Sequence, residues 1–230
     1  MKVEESCLIE VQNLSLRIGE RWLVRDLSFS TNKGEFIALV GSSGSGKTTL
    51  LRALSGDTPV SNGQVLIHTN SPLPVGMIHQ DLQLAEGSTA IKNALSGCLY
   101  RHSSLQTFFG FPEEEKSKAI TLLQKLGLGQ KLNQWTSTLS RGERQRLAIA
   151  RTLLAQPSIL LADEPVASLD GKWAEETLNI LKEYAKDQQA CVVCSLHDLD
   201  QVDQFADTII QVDPVNHDKW EVKCNPSTKA

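Results

Sequence analysis

Gly41, Ser42, Ser43, Gly44, Ser45, Gly46, Lys47 and Thr48 read GxxxxGK[ST], directly after the apolar segment EFIALV (35–40) and at the start of a helix-like stretch. In that context the pattern makes a phosphate-binding loop. Glycines let the backbone curl until several N–H groups face one centre, and a helix start adds positive partial charge. Lys47 is placed to reach the β- and γ-phosphates of a nucleotide and Thr48 to ligate Mg²⁺, with Thr49 beside them. A second pair, Asp163 and Glu164, follows the apolar run Ile159, Leu160, Leu161, Ala162. Carboxylates after such a strand stand where α/β sheets place their ligands. Asp163 suits the Mg²⁺ side of the nucleotide, and Glu164 suits an attacking water as base or orienting group.

These groups need a scaffold of alternating strands and helices, which predicts an α/β protein. Strands are expected at LIEVQ (8–12), LSFST (27–31), EFIALV (35–40), QVLIH (64–68) and VGMIH (75–79), and later at 158–163, 190–195 and 207–212. Helices are expected from Thr48 to Ser55, from Glu113 with Ile120, Leu123 and Leu126 on one face, and from Gly142 to Ala155. Two more are expected near 171–187 and 198–205. Residues 88 to 130 read as mostly helical, with a break at Phe108, Phe109, Gly110, Phe111 and Pro112. No repeat or linker divides the chain.

Composition narrows the classes. With 23 Lys and Arg against 27 Asp and Glu, the net charge of −4 argues against a dedicated nucleic-acid binder. A chain of 230 residues, 40% hydrophobic and 22% charged, can bury a real core, which excludes disordered and disulfide-stapled classes. No apolar run reaches the roughly 18 residues of a membrane span. The opening MKVEESCLIEVQ lacks the basic start and apolar middle of a signal peptide, so a cytosolic chain is expected. Five cysteines without export signals suggest reduced thiols. Cys191 and Cys194 form CxxC inside a strand-like run, where residues three apart point to opposite faces, so core packing is expected of them. His68, His79, His102, His197 and His217 are scattered, and no further metal cluster is expected.

Taken in order, the motifs resemble those of the ATP-binding-cassette (ABC) ATPases over nearly the whole chain. Gln80 follows a short strand, like that family's Q-loop glutamine. Leu139, Ser140, Arg141, Gly142 and Glu143 resemble LSGGQ, with RQRLAIARTLL continuing as its helix. Asp163, Glu164 and Pro165 resemble Walker B with its glutamate. Ser168, Leu169 and Asp170 resemble the D-loop, and His197 resembles the switch histidine. The resemblance implies a P-loop NTPase fold with a mixed, largely parallel core sheet, a small antiparallel subdomain and a helical subdomain at about 88–155, all within one domain (1–230). It implies ATP and Mg²⁺ as ligands and hydrolysis by Lys47, Glu164 and His197. Gln80 is expected at the metal beside Thr48 and Asp163, and in contact with a transmembrane partner. Ser140, Gly142 and Glu143 are expected to complete the pocket of a second copy packed head to tail.

Three departures stand out. Arg141 and Glu143 replace the family's usual glycine and glutamine, while Ser140 and Gly142 are kept. Spacing from Lys47 puts the expected adenine-stacking aromatic at Ile18, with Trp22 as a substitute. The short stretch from Lys47 to Gln80 implies a trimmed antiparallel subdomain. NALSG (93–97), the aromatic segment after it and DEPVASLD (163–170) resemble the phosphonate importers of the family. A peripheral subunit on the cytoplasmic face of the cell membrane is expected, serving a separate permease and, indirectly, a solute-binding protein. Phe108, Phe109 and Phe111 are expected as an apolar anchor for that permease. The imported solute, phosphonate or phosphite, rests on resemblance alone. Another small polar solute, a release pump and a soluble cassette acting on macromolecules are the alternatives.

Overall fold

A computed structural model describes residues 6–103 and 110–226. Phe108 and Phe109 lie outside the described residues. The strands are β1 (Cys7–Ile18), β2 (Arg21–Asn32), β3 (Phe36–Val40), β4 (Asn62–Ile67), β5 (Val75–Ile78), β6 (Ile159–Ala162), β7 (Cys191–Leu196), β8 (Thr208–Val212) and β9 (Trp220–Cys224). The helices are α1 (Lys47–Leu54), α2 (Ala90–Ser96), α3 (Glu113–Lys125), α4 (Arg141–Leu154), α5 (Gly171–Asp187) and α6 (Leu199–Phe205). The chain divides into two compact units. The first holds residues 1–77, 158–164 and 179–230, and the second holds 78–157 and 165–178.

Two sheets build the first unit. One is antiparallel in the order β2-β1-β4. The other runs β5-β6-β7-β3-β8-β9, with the pairs β6–β7, β7–β3 and β3–β8 parallel and β8–β9 antiparallel at the edge. Its central strands read as unbroken apolar runs because both faces are covered: every residue of β3, β6 and β7 is buried. Removing a Leu, Ile or Val side chain of this kind from water stabilises the fold by about 1.5–3 kcal/mol. The order β6-β7-β3 positions the site, because it sets the C-terminal ends of three parallel strands side by side.

β1 and β2 are twelve-residue strands, much longer than their apolar cores suggest. Polar residues interrupt the alternation, and Asn13 (φ 47°) and Asp26 (φ 50°) take left-handed backbone where the pairing slips register. β9 was not visible in the sequence. One of its anchors is Trp220, whose indole N–H donates to the Leu23 carbonyl at 2.9 Å.

In the second unit α4 packs against α2 and α3. Helix α3 buries Glu115, Ala119 and Leu123 at four-residue spacing, with Leu126 buried at its end and Ile120 half-buried. Among the described residues no helix is long and apolar enough to cross a membrane. Cys191 and Cys194 are fully buried, as core residues. Burial pushes the Cys191 thiol up to about 12 and the Cys194 thiol higher still, so both stay protonated and unreactive. One expectation fails here. His102 does not stand apart, because the fold brings it together with Cys98 and Glu115. Sequence spacing hides this grouping, which forms only when the start of α3 returns to the turn after α2.

Candidate functional site

The loop after β3 is glycine-dependent for steric reasons. Gly44 and Gly46 have φ of 76° and 106°, a region that side chains rarely tolerate. A Cβ on Gly41 would approach Ser45 Oγ to 2.7 Å and Val212 Cγ2 to 2.8 Å. One on Gly46 would meet Leu23 Cβ at 3.1 Å. The loop therefore keeps its curl only with hydrogen at these positions. Ser45 Oγ is buried without a hydrogen-bond partner, a polar group an anion in the loop would satisfy. Lys47 is 5% exposed and folds back over the loop. Its ammonium donates to the Gly41 carbonyl at 2.7 Å and to the Ser42 carbonyl at 3.2 Å. Burial lowers the Lys47 pKa, against the opposing pull of the Glu164 and Asp163 carboxylates. An entering triphosphate offers that ammonium anionic acceptors in place of neutral carbonyls.

Residues after β6 and β7 meet the start of α1. Thr48 Oγ1 donates to Asp163 Oδ2 at 2.8 Å, and Asp163 is 2% exposed. A hydroxyl and a carboxylate in contact are the hard oxygen donors Mg²⁺ prefers, so the pair fits that ion. Glu164 Oε1 lies 2.7 Å from His197 Nε2. The carboxylate only accepts, so Nε2 carries the proton. Both side chains are partly open to solvent, where a water could reach them.

Sequence reasoning missed Ser195. Its hydroxyl donates to Asp163 Oδ1 at 3.0 Å and accepts the Glu164 backbone N–H at 2.7 Å. Glu164 has a φ of 49°, a conformation that costs a non-glycine residue on the order of 1–3 kcal/mol. One buried hydroxyl thus holds the Asp163 carboxylate and the strained residue next to it. The only sequence signal was a lone hydroxyl in the apolar run CVVCSL. Ser195→Ala should lower kcat roughly tenfold, the value of a hydrogen bond to a charged group, while ATP affinity stays within about twofold. Ser195→Thr keeps the hydroxyl and should recover most of the rate. Equal losses of kcat in both variants, or a loss carried by KM, would rule out this positioning role.

Trp22, the expected substitute for the base-stacking aromatic, lies on β2 between two arginines. The Arg17 and Arg25 guanidiniums sit over its ring at 5.5 and 5.1 Å from the centroid, and Arg25 is itself paired with Asp218 at 2.7 Å. Its neighbour Leu23 is the residue against the loop at Gly46. Ile18 is 60% exposed at the tip of the β1–β2 hairpin.

Gln80, Ser140, Gly142 and Glu143 belong to the second unit. Ser140 caps α4: its Oγ accepts the Glu143 N–H at 3.3 Å, and Glu143 Oε2 accepts the Ser140 N–H at 2.9 Å. This is the reciprocal capping box of the S-x-x-E pattern, which accounts for a glutamate at 143. Burial resists ionisation of Glu143, but hydrogen bonds from Lys131 and the Ser140 backbone outweigh it and hold the carboxyl below its ordinary range. A Cβ on Gly142 would approach the Ser168 carbonyl to 3.2 Å and Leu169 Cδ2 to 3.3 Å, so that position stays small. Arg141 is exposed. Gln80 is exposed just after β5, in a loop where Leu82 and Gln83 have φ of 58° and 46°. Arg151 holds that backbone by donating to the Leu82 and Gln83 carbonyls at 2.9 and 2.6 Å. A groove of about 320 Å³ lies there, lined by Gln80, Leu82, Leu84, Arg141 and Arg144 among others.

The ABC transporter family profile matches residues 24–167. The chain is similar to the phosphonates import ATP-binding protein PhnC of Treponema denticola, at 36% identity over 88% of this chain and 85% of the relative. It is also similar to the protein of that name in Trichormus variabilis, at 39% identity over 90% of this chain and 89% of the relative. Among solved structures, the dimeric bacterial ABC transporter cassette MJ0796 superposes with a TM-score of 0.79 at 25% identity, covering 94% of this chain and 98% of that one. CbiO1 of Clostridium perfringens, part of an ABC transporter complex, shares the fold with a TM-score of 0.78 at 24% identity, covering 97% and 90%.

Proposed function

The chain belongs to the ABC transporter family of ATP-binding cassettes, and from that premise we propose that it hydrolyses ATP to drive uptake of a phosphonate-type solute through a separate permease. The observation that carries the catalytic part is the convergence of Lys47, Thr48, Asp163, Glu164 and His197 at the ends of three adjacent strands. The solute class comes from the phosphonates import proteins that resemble the chain along most of their length.

The chemistry follows from these groups. The loop N–H groups and Lys47 would hold the β- and γ-phosphates, and Thr48 and Asp163 would hold Mg²⁺, the ion that Gln80 is expected from the sequence to meet. Mg²⁺ supplies charge neutralisation on the phosphate oxygens. Glu164 accepts a proton from water as its oxygen attacks the γ-phosphorus, and the bond to the β-phosphate oxygen breaks to give ADP and phosphate. His197 keeps Glu164 aimed and faces the γ-phosphate. Two copies pack head to tail, and Ser140 and the Gly142 N–H of one, at the start of α4, face the γ-phosphate held by the other. The groove beside Gln80 takes a permease segment on the cytoplasmic face of the membrane, with Phe111 at the edge of the anchor expected from the sequence.

Reconstitution in liposomes with the permease and solute-binding protein tests this reading. ATP hydrolysis should rise several-fold when the binding protein is loaded with an alkylphosphonate or phosphite. Stimulation only by a solute lacking phosphorus would reassign the transporter.

A further inference from the structure

The second unit carries a donor cluster that the hydrolytic site does not use. Cys98 closes the turn after α2, His102 follows the 3-10 turn Leu99–Arg101, and Glu115 lies in the first turn of α3. Cys98 Sγ, a His102 ring nitrogen and a Glu115 oxygen all lie within 4.8 Å of one another. Cys98 is fully buried and Glu115 is 7% exposed. His102 Nε2 is buried without a hydrogen-bond partner, and Glu115 Oε1 stands 3.5 Å from it. Among the described residues that nitrogen has the Glu115 carboxylate as an ion-pair neighbour but no hydrogen bond, so it keeps capacity for a ligand.

Surrounding contacts fix the orientation of the carboxylate. Arg101 Nη2 reaches Glu115 Oε1 at 3.1 Å and Oε2 at 2.9 Å. Its Nη1 is tied to the Leu154 carbonyl at 2.9 Å and to Gln156 Oε1 at 3.2 Å. Arg101 is thus anchored from behind and orients the carboxylate from one side, leaving each oxygen a lone pair, as outer groups do around metal-bound carboxylates. The Cys98 thiol donates weakly to the Leu95 carbonyl at 3.0 Å and also shares a hydrogen bond with the Glu115 side chain. Phe111 meets the His102 ring edge-on at 6.3 Å and gives the cluster an apolar side.

We propose that Cys98, His102 and Glu115 form a zinc-type metal site that clasps the end of α2 to the start of α3. Sulfur, nitrogen and oxygen donors together suit Zn²⁺, and the thiolate disfavours Mg²⁺, so the site is chemically separate from Thr48 and Asp163. Donor atoms around one tetrahedral Zn²⁺ stand roughly 3.3–3.8 Å apart, so a pair at the outer limit of the cluster closes by about 1–1.5 Å. The His102 side chain, on a turn, supplies that movement. A thiolate and a carboxylate offset the two charges of the ion, and the Arg101 guanidinium on the same carboxylate leaves one positive charge over. Water or an outside ligand takes the fourth position.

The test uses the full chain stripped with chelator, in a Cys224→Ser background that removes the exposed thiol, without nucleotide. Co²⁺ should bind at one equivalent with a thiolate-to-metal charge-transfer band, and Zn²⁺ should displace it and raise the thermal midpoint. Cys98→Ala should abolish the band, and His102→Gln, at a partly exposed position that tolerates change, should weaken binding more than tenfold. ATP affinity should be the same in all variants, because Lys47 and its loop are untouched. Absence of the band in the parent chain would overturn the site, as would binding unchanged in His102→Gln.

Discussion

Glu164→Gln should reduce ATP hydrolysis by about 10²- to 10⁴-fold, the usual contribution of a positioned general base, with ATP affinity nearly unchanged. The substitution keeps the size and the hydrogen-bonding reach of the side chain. It removes only the ability to take a proton, because an amide oxygen is a far weaker base than a carboxylate. The backbone should stay in place: the Glu164 N–H is held by Ser195 Oγ at 2.7 Å, independently of the side chain. His197, 2.7 Å from the carboxylate, can still donate to the amide oxygen. Phosphate release at saturating Mg²⁺–ATP and nucleotide binding by fluorescence separate the two effects. Turnover within a few-fold of the parent would move the base elsewhere.

Lys47→Ala should act on binding instead. The ammonium is 5% exposed and sits over the loop, so its loss removes charge-assisted bonds worth about 1.5–3 kcal/mol each. ATP affinity should therefore fall roughly 10- to 100-fold, with a smaller loss for a nucleoside monophosphate that lacks the β- and γ-phosphates. The Gly41 and Ser42 carbonyls lose their donor in this variant. A modest drop in thermal midpoint without nucleotide should accompany the binding defect. Titration calorimetry with ATP and AMP reads the difference directly, and equal losses for both would show that Lys47 does not address the distal phosphates.

Most of the candidate hydrolytic site was legible because each part is a local pattern on a buried strand. The glycine-rich loop follows β3, Asp163 and Glu164 follow β6, and His197 follows β7, so finding the strands locates the chemistry. That the three ends are neighbours comes from the order β6-β7-β3, which no local pattern carries. Ser195 was missed for the same reason: its partners lie 32 and 31 residues away in the chain. The lengths of β1 and β2 were hidden because left-handed residues at Asn13 and Asp26 break the alternation that marks a strand. Glu143 was legible as half of an S-x-x-E cap, yet against a glutamine-bearing family pattern it reads as a departure; in the fold it satisfies the Ser140 N–H. Cys98, His102 and Glu115 form no sequence motif, and only the packing of α3 against α2 brings them together.

If, as proposed, Ser140 and Gly142 act on the distal phosphate held by a second copy, hydrolysis requires a dimer that ATP assembles. Sedimentation velocity of the Glu164→Gln protein reads this in one experiment, since that variant binds ATP without consuming it. With Mg²⁺–ATP the boundary should move from the mass of one chain to that of two, and return on exchange into ADP. A boundary that stays at one chain under saturating ATP, in a protein shown to bind the nucleotide, would contradict the shared site.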